Sequence, residues 1–239
     1  MPDDLAIGAR VWRGPKSRSA LVSTPHRLDD GAMEAERVRV LPCGDRALLT
    51  EVPDLETVAA LHAALRRSPL PGQVDLVPAA RTVLIVLDRP PSELDAVRLR
   101  GLPLSDSEAG EEPRTVEVPV VFDGPDLAEV AERTGRSPAA LIEALTGTQL
   151  TVAFGGFAPG FGYLSGLPDD LSVPRRATPR TRVPAGSVGL AGPFAGIYPR
   201  ASPGGWQLVG RTDAVLFDVD RNPPALLAPG TRVRFREVR

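Results

Sequence analysis

Lysine, histidine and cysteine are nearly missing from this chain. Of 28 basic residues in 239 only Lys16 is a lysine, the histidines are His26 and His62, and the one cysteine is Cys43. A lone cysteine excludes an intrachain disulfide. Two histidines and one cysteine are too few for a zinc centre of the His/Cys type, and a histidine-based catalytic triad is a poor expectation. With no lysine from position 17 to 239, lysine chemistry is absent there, and no G-x-x-x-x-G-K-[ST] phosphate loop occurs. No apolar run approaches the roughly 18 residues of a membrane span, and the N-terminus lacks an apolar stretch of signal-peptide type. The net charge of −2 creates no field that would gather nucleic acid or an anionic membrane. These absences together describe a cytoplasmic protein that uses neither nucleic acid nor membrane as partner. No metal site is expected: Asp169, Asp170, Asp213, Asp218 and Asp220 have no cation-loop spacing and read as solvated. Ser187 in GSVG is no nucleophile elbow, because Ala185 stands where the first glycine would be.

What is present divides the chain. Residues 1–34 show no period and read as a loose N-terminal tail, and translation is expected to start at Met33. Residues 35–103 alternate strand and helix signals: VRVLP, ALLTEV, the helix LETVAALHAALRR behind Asp54 as N-cap, then VDLVPA, TVLIVL and a second helix in PPSELDAVRLRGL. They predict a small α+β domain with helices on one face of a sheet. His62 lies on the first helix, where a packing role is the ordinary one. Acidic residues 104–113 read as a linker. In residues 114–239 the strand TVEVPVVF precedes two helices, with Asp126 and Ser137 as N-caps, Pro138 in a first helical turn, and Gly135 and Gly147 as stops. LTVAF, WQLVG, AVLFDV and TRVRFREV read as strands. Between Gly155 and Trp206 glycine and proline make up about a third of the residues, which favours short strands and tight turns. The fold class predicted is an α+β N-terminal domain followed by a mainly β barrel or sandwich.

The same Gly/Pro-rich region concentrates aromatics and positive charge. No Asp or Glu lies between Leu171 and Thr212, while Arg175, Arg176, Arg180, Arg182, Arg200 and Arg211 all do. Guanidinium groups converging there could hold a carboxylate or phosphoryl group, each charge-assisted bond contributing roughly 1.5 to 3 kcal/mol. Phe157, Phe161, Tyr163, Phe194, Tyr198 and Trp206 would either wall a small-ligand pocket, fill the barrel core or form a dry patch for another subunit.

The line FAPGFGYLSGLP, VPRRATPRTRVPAGSVGLAG and GIYPRASPGGWQLVGRT resembles the family of 5-oxoprolinase B subunits. That family is also called KipI, allophanate hydrolase subunit 1, or the carboxyltransferase domain, subdomain C and D. The resemblance runs from about Val38 to the end. It implies that the second domain is a cyclophilin-like β-barrel. It further implies a non-autonomous subunit of an ATP-dependent 5-oxoprolinase, which opens 5-oxo-L-proline to L-glutamate through its A, B and C subunits, with a KipA-like C subunit as direct partner. The lactam is inert, so ATP, with Mg²⁺ on the nucleotide, would activate its carbonyl by phosphorylation before hydrolysis. Arg175 and Arg180 are then the expected anion contacts; Gly186 and Ser187 would meet the substrate, and Phe161, Tyr198 and Trp206 would shape its pocket. Phe157, Pro159, Tyr163 and Pro203 are the expected partner interface. Two other implied readings are a KipI-like inhibitor of a sensor histidine kinase and a subunit of a urea carboxylase or allophanate-type assembly. Allophanate hydrolysis itself is disfavoured, since its serine, serine and lysine machinery needs a lysine the barrel lacks. The family's usual histidine near the end of the second helix is Leu145 here, and a usual tyrosine is Phe122. The intact mass of the native protein checks the expected start: a mass beginning at Met33 supports it, and a native peptide from residues 1–32 contradicts it.

Overall fold

The computed structural model describes residues 38–104 and 114–239. The expected tail, the Met33 start and all but the first residue of the expected linker lie outside the described residues. Strands β1 (Arg39–Pro42), β2 (Ala47–Glu51), β3 (Gln73–Pro78) and β4 (Thr82–Leu87) pair antiparallel in the order β1-β2-β4-β3. Helix α1 (Leu55–Arg67) starts where the Asp54 carboxylate accepts the Thr57 N–H. Its Val58, Leu61 and Leu65, at helical spacing, pack with Val83, Ile85 and Leu87, the inward half of β4. Helix α2 (Glu93–Arg100) opens with a capping box between Ser92 and Asp95 and adds Leu99 to the same core. Asp95 is buried, yet the two hydrogen bonds from Arg89 hold its carboxyl well below the usual carboxylate range against the opposing effect of burial.

A second core lies within a nearly closed mixed-sheet barrel. Its elements are β5 (Thr115–Val120), α3 (Leu127–Arg133), α4 (Pro138–Gly147), β6 (Leu150–Gly155), β7 (Gly162–Ser165), β8 (Arg180–Val183), β9 (Ser187–Ala191), β10 (Phe194–Ile197), β11 (Ser202–Gly204), β12 (Gln207–Arg211) and β13 (Arg232–Glu237). Seven strands run in the order β12-β9-β10-β7-β6-β13-β5, with β13 parallel to β5 and antiparallel to β6. Val121, just past β5, exchanges two 2.9 Å backbone hydrogen bonds with Arg211 at the end of β12. That bridge brings the two edges of the sheet together, so that little backbone is left unpaired at the seam. Strands β8 and β11 form a separate two-stranded ribbon. Gly124 can lie on β12 only because it lacks a side chain: a Cβ there would stand 2.4 Å from the Leu208 carbonyl oxygen.

One strand expected from the sequence does not form. AVLFDV, residues 214–219, alternates as a strand does, but only an isolated bridge between Phe217 and Ala225 is present. Leu216 enters the barrel core while Val215, Phe217 and Val219 face outward, with no neighbouring strand to continue a ladder. Alternation records one buried side; pairing requires a partner.

Leu145, where the resemblance leads us to expect a histidine, is fully buried with Leu141, Val118 and Phe235 beneath α4. Its environment is that of a packing residue. Leu145→Ala should therefore destabilise the protein by about 2–5 kcal/mol, read from denaturant unfolding, through the cavity it leaves.

Candidate functional site

The arginines of the Gly/Pro-rich region do converge, but the anion on which they meet belongs to the chain. Asp126 is 3% exposed. Its Oδ1 accepts hydrogen bonds from Arg176 Nη1 at 2.8 Å and Arg180 Nη2 at 2.7 Å, and its Oδ2 accepts the Leu208 N–H at 2.7 Å. The Asp126 N–H in turn donates to the Leu208 carbonyl at 2.9 Å. Asp126 occupies the N-cap position of α3 but makes no capping bond, so the expected side-chain cap is replaced by this cluster. Burial works to raise the Asp126 pKa; the hydrogen bonds from Arg180 and Leu208 and the charges of Arg180 and Arg176 outweigh it, and the net shift is downward.

Above this anchor the rings pack on one another. Phe161 meets Phe157, Tyr163, Tyr198 and Trp206 edge-on, with centroids 5.1–5.5 Å apart. Val183, Ala191 and Leu208 complete the cluster. Gly196 admits the rings, since a Cβ there would lie 2.9 Å from both Phe161 and Trp206. Burial pushes the Tyr198 hydroxyl up, partly offset by the backbone of Trp206 and by Arg175. The turn between β6 and β7 breaks the pattern. Phe157 has φ 65° at the apex of a three-residue turn closed by the Ala158 N–H on the Gly156 carbonyl at 2.7 Å, and its side chain is 57% exposed. A phenylalanine held at positive φ and left in solvent is strained and costly, a combination that marks functional turns.

Beside that turn opens a cavity of about 530 Å³. Three segments build it: Ala185–Gly186 after β8, Tyr198–Arg200 after β10, and Thr212–Phe217 after β12, with Pro159 on the rim. Backbone hydrogen bonds fasten the segments together, from the Gly186 N–H to the Tyr198 carbonyl at 2.7 Å and from the Thr212 N–H to the Gly186 carbonyl at 2.9 Å. Gly186, at φ 77°, is obligatory: a Cβ would lie 2.1 Å from the Thr212 carbonyl oxygen. The walls are apolar, from Pro159, Pro199, Leu216 and Phe217, and the charged groups are Arg200 and Asp213. Both are exposed, and neither makes an ion pair or side-chain hydrogen bond among the described residues.

The expected site residues are thus distributed. Gly186, Tyr198 and Pro159 line the cavity. Ser187 is buried one residue beyond it, and Phe161 and Trp206 are core rings behind it. Arg180 is turned onto Asp126, because a buried carboxylate takes the nearest guanidinium to balance its charge, and Arg175 stays exposed outside the lining. Phe157 and Pro203 are exposed, while Tyr163 is half-buried against Phe154. His62 is half-buried on α1, its pKa lowered by burial and by Arg66. Among the described residues no group of three or more His, Cys, Asp or Glu could hold a metal ion, and no helix is long and apolar enough to cross a membrane. In the sequence Asp213 reads as a solvated carboxylate and Arg200 as one of six arginines; the structure keeps both exposed and brings both to the cavity lining. Each lies on a connection shortly past a strand, Arg200 after β10 and Asp213 after β12.

Comparison with known proteins places the matches across these same elements. Residues 38–227 match the model of the carboxyltransferase domain, subdomain C and D. The B subunit of the 5-oxoprolinase of Escherichia coli O157:H7 is 43% identical over 209 residues, covering 84% of this chain and 96% of that protein. The crystal structure of TTHA0988 superposes with a TM-score of 0.67 at 40% identity over 81% of this chain. This chain spans only about 40% of the length of TTHA0988. The Kluyveromyces lactis urea carboxylase is alike in fold alone, with a TM-score of 0.62 and 22% identity over 84% of this chain and 22% of that one.

The Asp126 cluster makes stability pH-dependent. A carboxyl whose folded pKa is depressed contributes fully above its unfolded value, about 3.9, and the contribution is lost as pH falls through the lowered folded value. Asp126→Asn should lower stability at pH 7 by on the order of 2–4 kcal/mol, the part-exposed arginines moderating the loss of a buried charge. The gap between variant and parent should narrow below about pH 4; denaturant melts at pH 7 and pH 3 measure both.

Proposed function

Because the chain belongs to the carboxyltransferase domain, subdomain C and D family, which includes the B subunits of 5-oxoprolinases, we propose that it is the B subunit of a 5-oxoprolinase, helping convert 5-oxo-L-proline to L-glutamate. The observation that carries this reading is the 43% identity over almost the whole of the Escherichia coli protein, within a family match that includes every segment lining the cavity. Chemistry supports a shared site. The cavity offers one guanidinium, one carboxylate and apolar walls, enough to seat a small polar molecule. It does not suit ATP with Mg²⁺: a single arginine would face the whole triphosphate, no phosphate loop is present, and Asp213 is the lone carboxylate in the lining. On this reading nucleotide and metal ion are assigned to a site shared with or held by a partner subunit, not to this cavity.

The partner's place is the rim. Phe157, Val215, Phe217 and Val219 are exposed apolar side chains, and Gly160 lies so close to Phe217 that a Cβ would reach its Cβ at 2.8 Å. The strained Phe157 turn and residues 214–217 therefore form one apolar lip with Pro159, beside the cavity. Such a lip fits the barrel of a KipA-like partner, the C subunit of the enzyme, which would cover it and supply the groups this chain lacks. Tyr163, half-buried against Phe154 and beside Gly156 of the turn, and Pro203, exposed on β11, lie outside the cavity lining and are the weaker half of the expected interface. The match to less than half of TTHA0988 supports a fold that works beside further polypeptide.

Reconstitution of this chain with its A and C subunits, followed by glutamate release from 5-oxoproline with ATP, tests the proposal. Turnover should require all three, with none from this chain alone. Undiminished turnover by A and C without this chain would overturn it.

A further inference from the structure

Arg200 and Asp213 raise a question that the family match leaves open: why two opposite charges line one concavity without pairing. The other arginines near the barrel mouth are accounted for. Arg176 and Arg180 neutralise Asp126, Arg211 pairs with Asp123 at 2.9 Å, and Arg175 and Arg182 lie outside the lining. Arg200 is thus the cation of the cavity, carried on the turn between β10 and β11. Asp213 follows buried Thr212, whose hydroxyl accepts the Ala214 N–H at 3.2 Å and so fixes the backbone from which Asp213 projects.

We propose that Arg200 and Asp213 are a two-point clamp for a small cyclic amide bearing a carboxylate: the guanidinium binds the carboxylate, and Asp213 accepts the ring N–H. This rests on the reading of the chain as a 5-oxoprolinase subunit and assigns the seat of its substrate. The donor and acceptor inventory matches each end of such a molecule. A guanidinium presents parallel N–H donors to a carboxylate, and an ionised aspartate can only accept, which suits an amide N–H. The ring methylenes would rest on Pro159, Pro199, Leu216 and Phe217. Held by those two edges, the molecule leaves its amide carbonyl free to face the open side, where a second subunit would bring the activating groups.

In the reconstituted three-subunit complex, Arg200→Ala and Asp213→Asn should each raise KM for 5-oxoproline roughly tenfold to a hundredfold while changing kcat far less, as loss of a charge-assisted bond to the bound substrate requires. Arg200→Lys should recover only part of the loss, because an ammonium lacks the parallel fork. The parent complex should discriminate strongly against 2-pyrrolidinone, which lacks the carboxylate, and Arg200→Ala should erase most of that preference. Wild-type KM in both variants, with turnover still dependent on this chain, would overturn the clamp and leave the proposed function standing. Complete absence of turnover in the parent complex would overturn both.

Discussion

Everything around the cavity hangs on one buried carboxylate. Asp126 joins two guanidinium groups and a backbone N–H, and in doing so it ties the start of β8, through Arg180, to the start of β12, through Leu208. The far ends of those strands deliver Thr212 and Gly186 to the cavity, where Thr212 bonds Gly186 and Gly186 bonds Tyr198. An uncompensated charge at that depth would be expensive, so the pairing is demanded by electrostatics once Asp126 is placed there. Arg176 extends the tie to the loop before β8, its own N–H bonding the Gly205 carbonyl at 2.8 Å.

The aromatic cluster is the second half of that design. Rings packed edge-on between β7, β10 and β12 give a stiff, dry block on which the cavity segments rest. Tyr198 belongs to both: its ring is in the cluster and its residue lines the cavity. Phe157 sits at the rim of the block, edge-on to Phe161 and Tyr198, yet stays largely exposed in a strained turn. A rigid floor with an apolar, exposed lip is what the proposed shared site would require, since a partner would have to dock without reshaping the half it meets.

Much of this was legible from sequence, and the failures share a cause. Strand and helix periods, the Asp54 and Ser137 caps and the Gly/Pro-rich turns are local, and local pattern located them. The concentration of arginines after Leu171 pointed to a ligand anion, whereas Arg176 and Arg180 balance a carboxylate of the chain itself. What the pattern could not contain was the identity of the anion, because Asp126 lies 50 and 54 residues from its two arginines. A local reading made it a helix cap, the ordinary role of an aspartate before an apolar run. Likewise AVLFDV alternates because Leu216 is buried and its neighbours are not, and only the fold reveals that no strand lies alongside. Asp213 read as a solvated carboxylate for the same reason, since only the fold brings Arg200 to the same cavity from a different turn.

Hydrogen–deuterium exchange of the Asp126→Asn variant against the parent protein, under native conditions at neutral pH, puts the anchor to its most direct test. The anchor predicts faster exchange at the amides of Gly186, Tyr198, Leu208 and Thr212, with those of the β1–β4 sheet unchanged. Equal protection at the cavity segments in both proteins would contradict it.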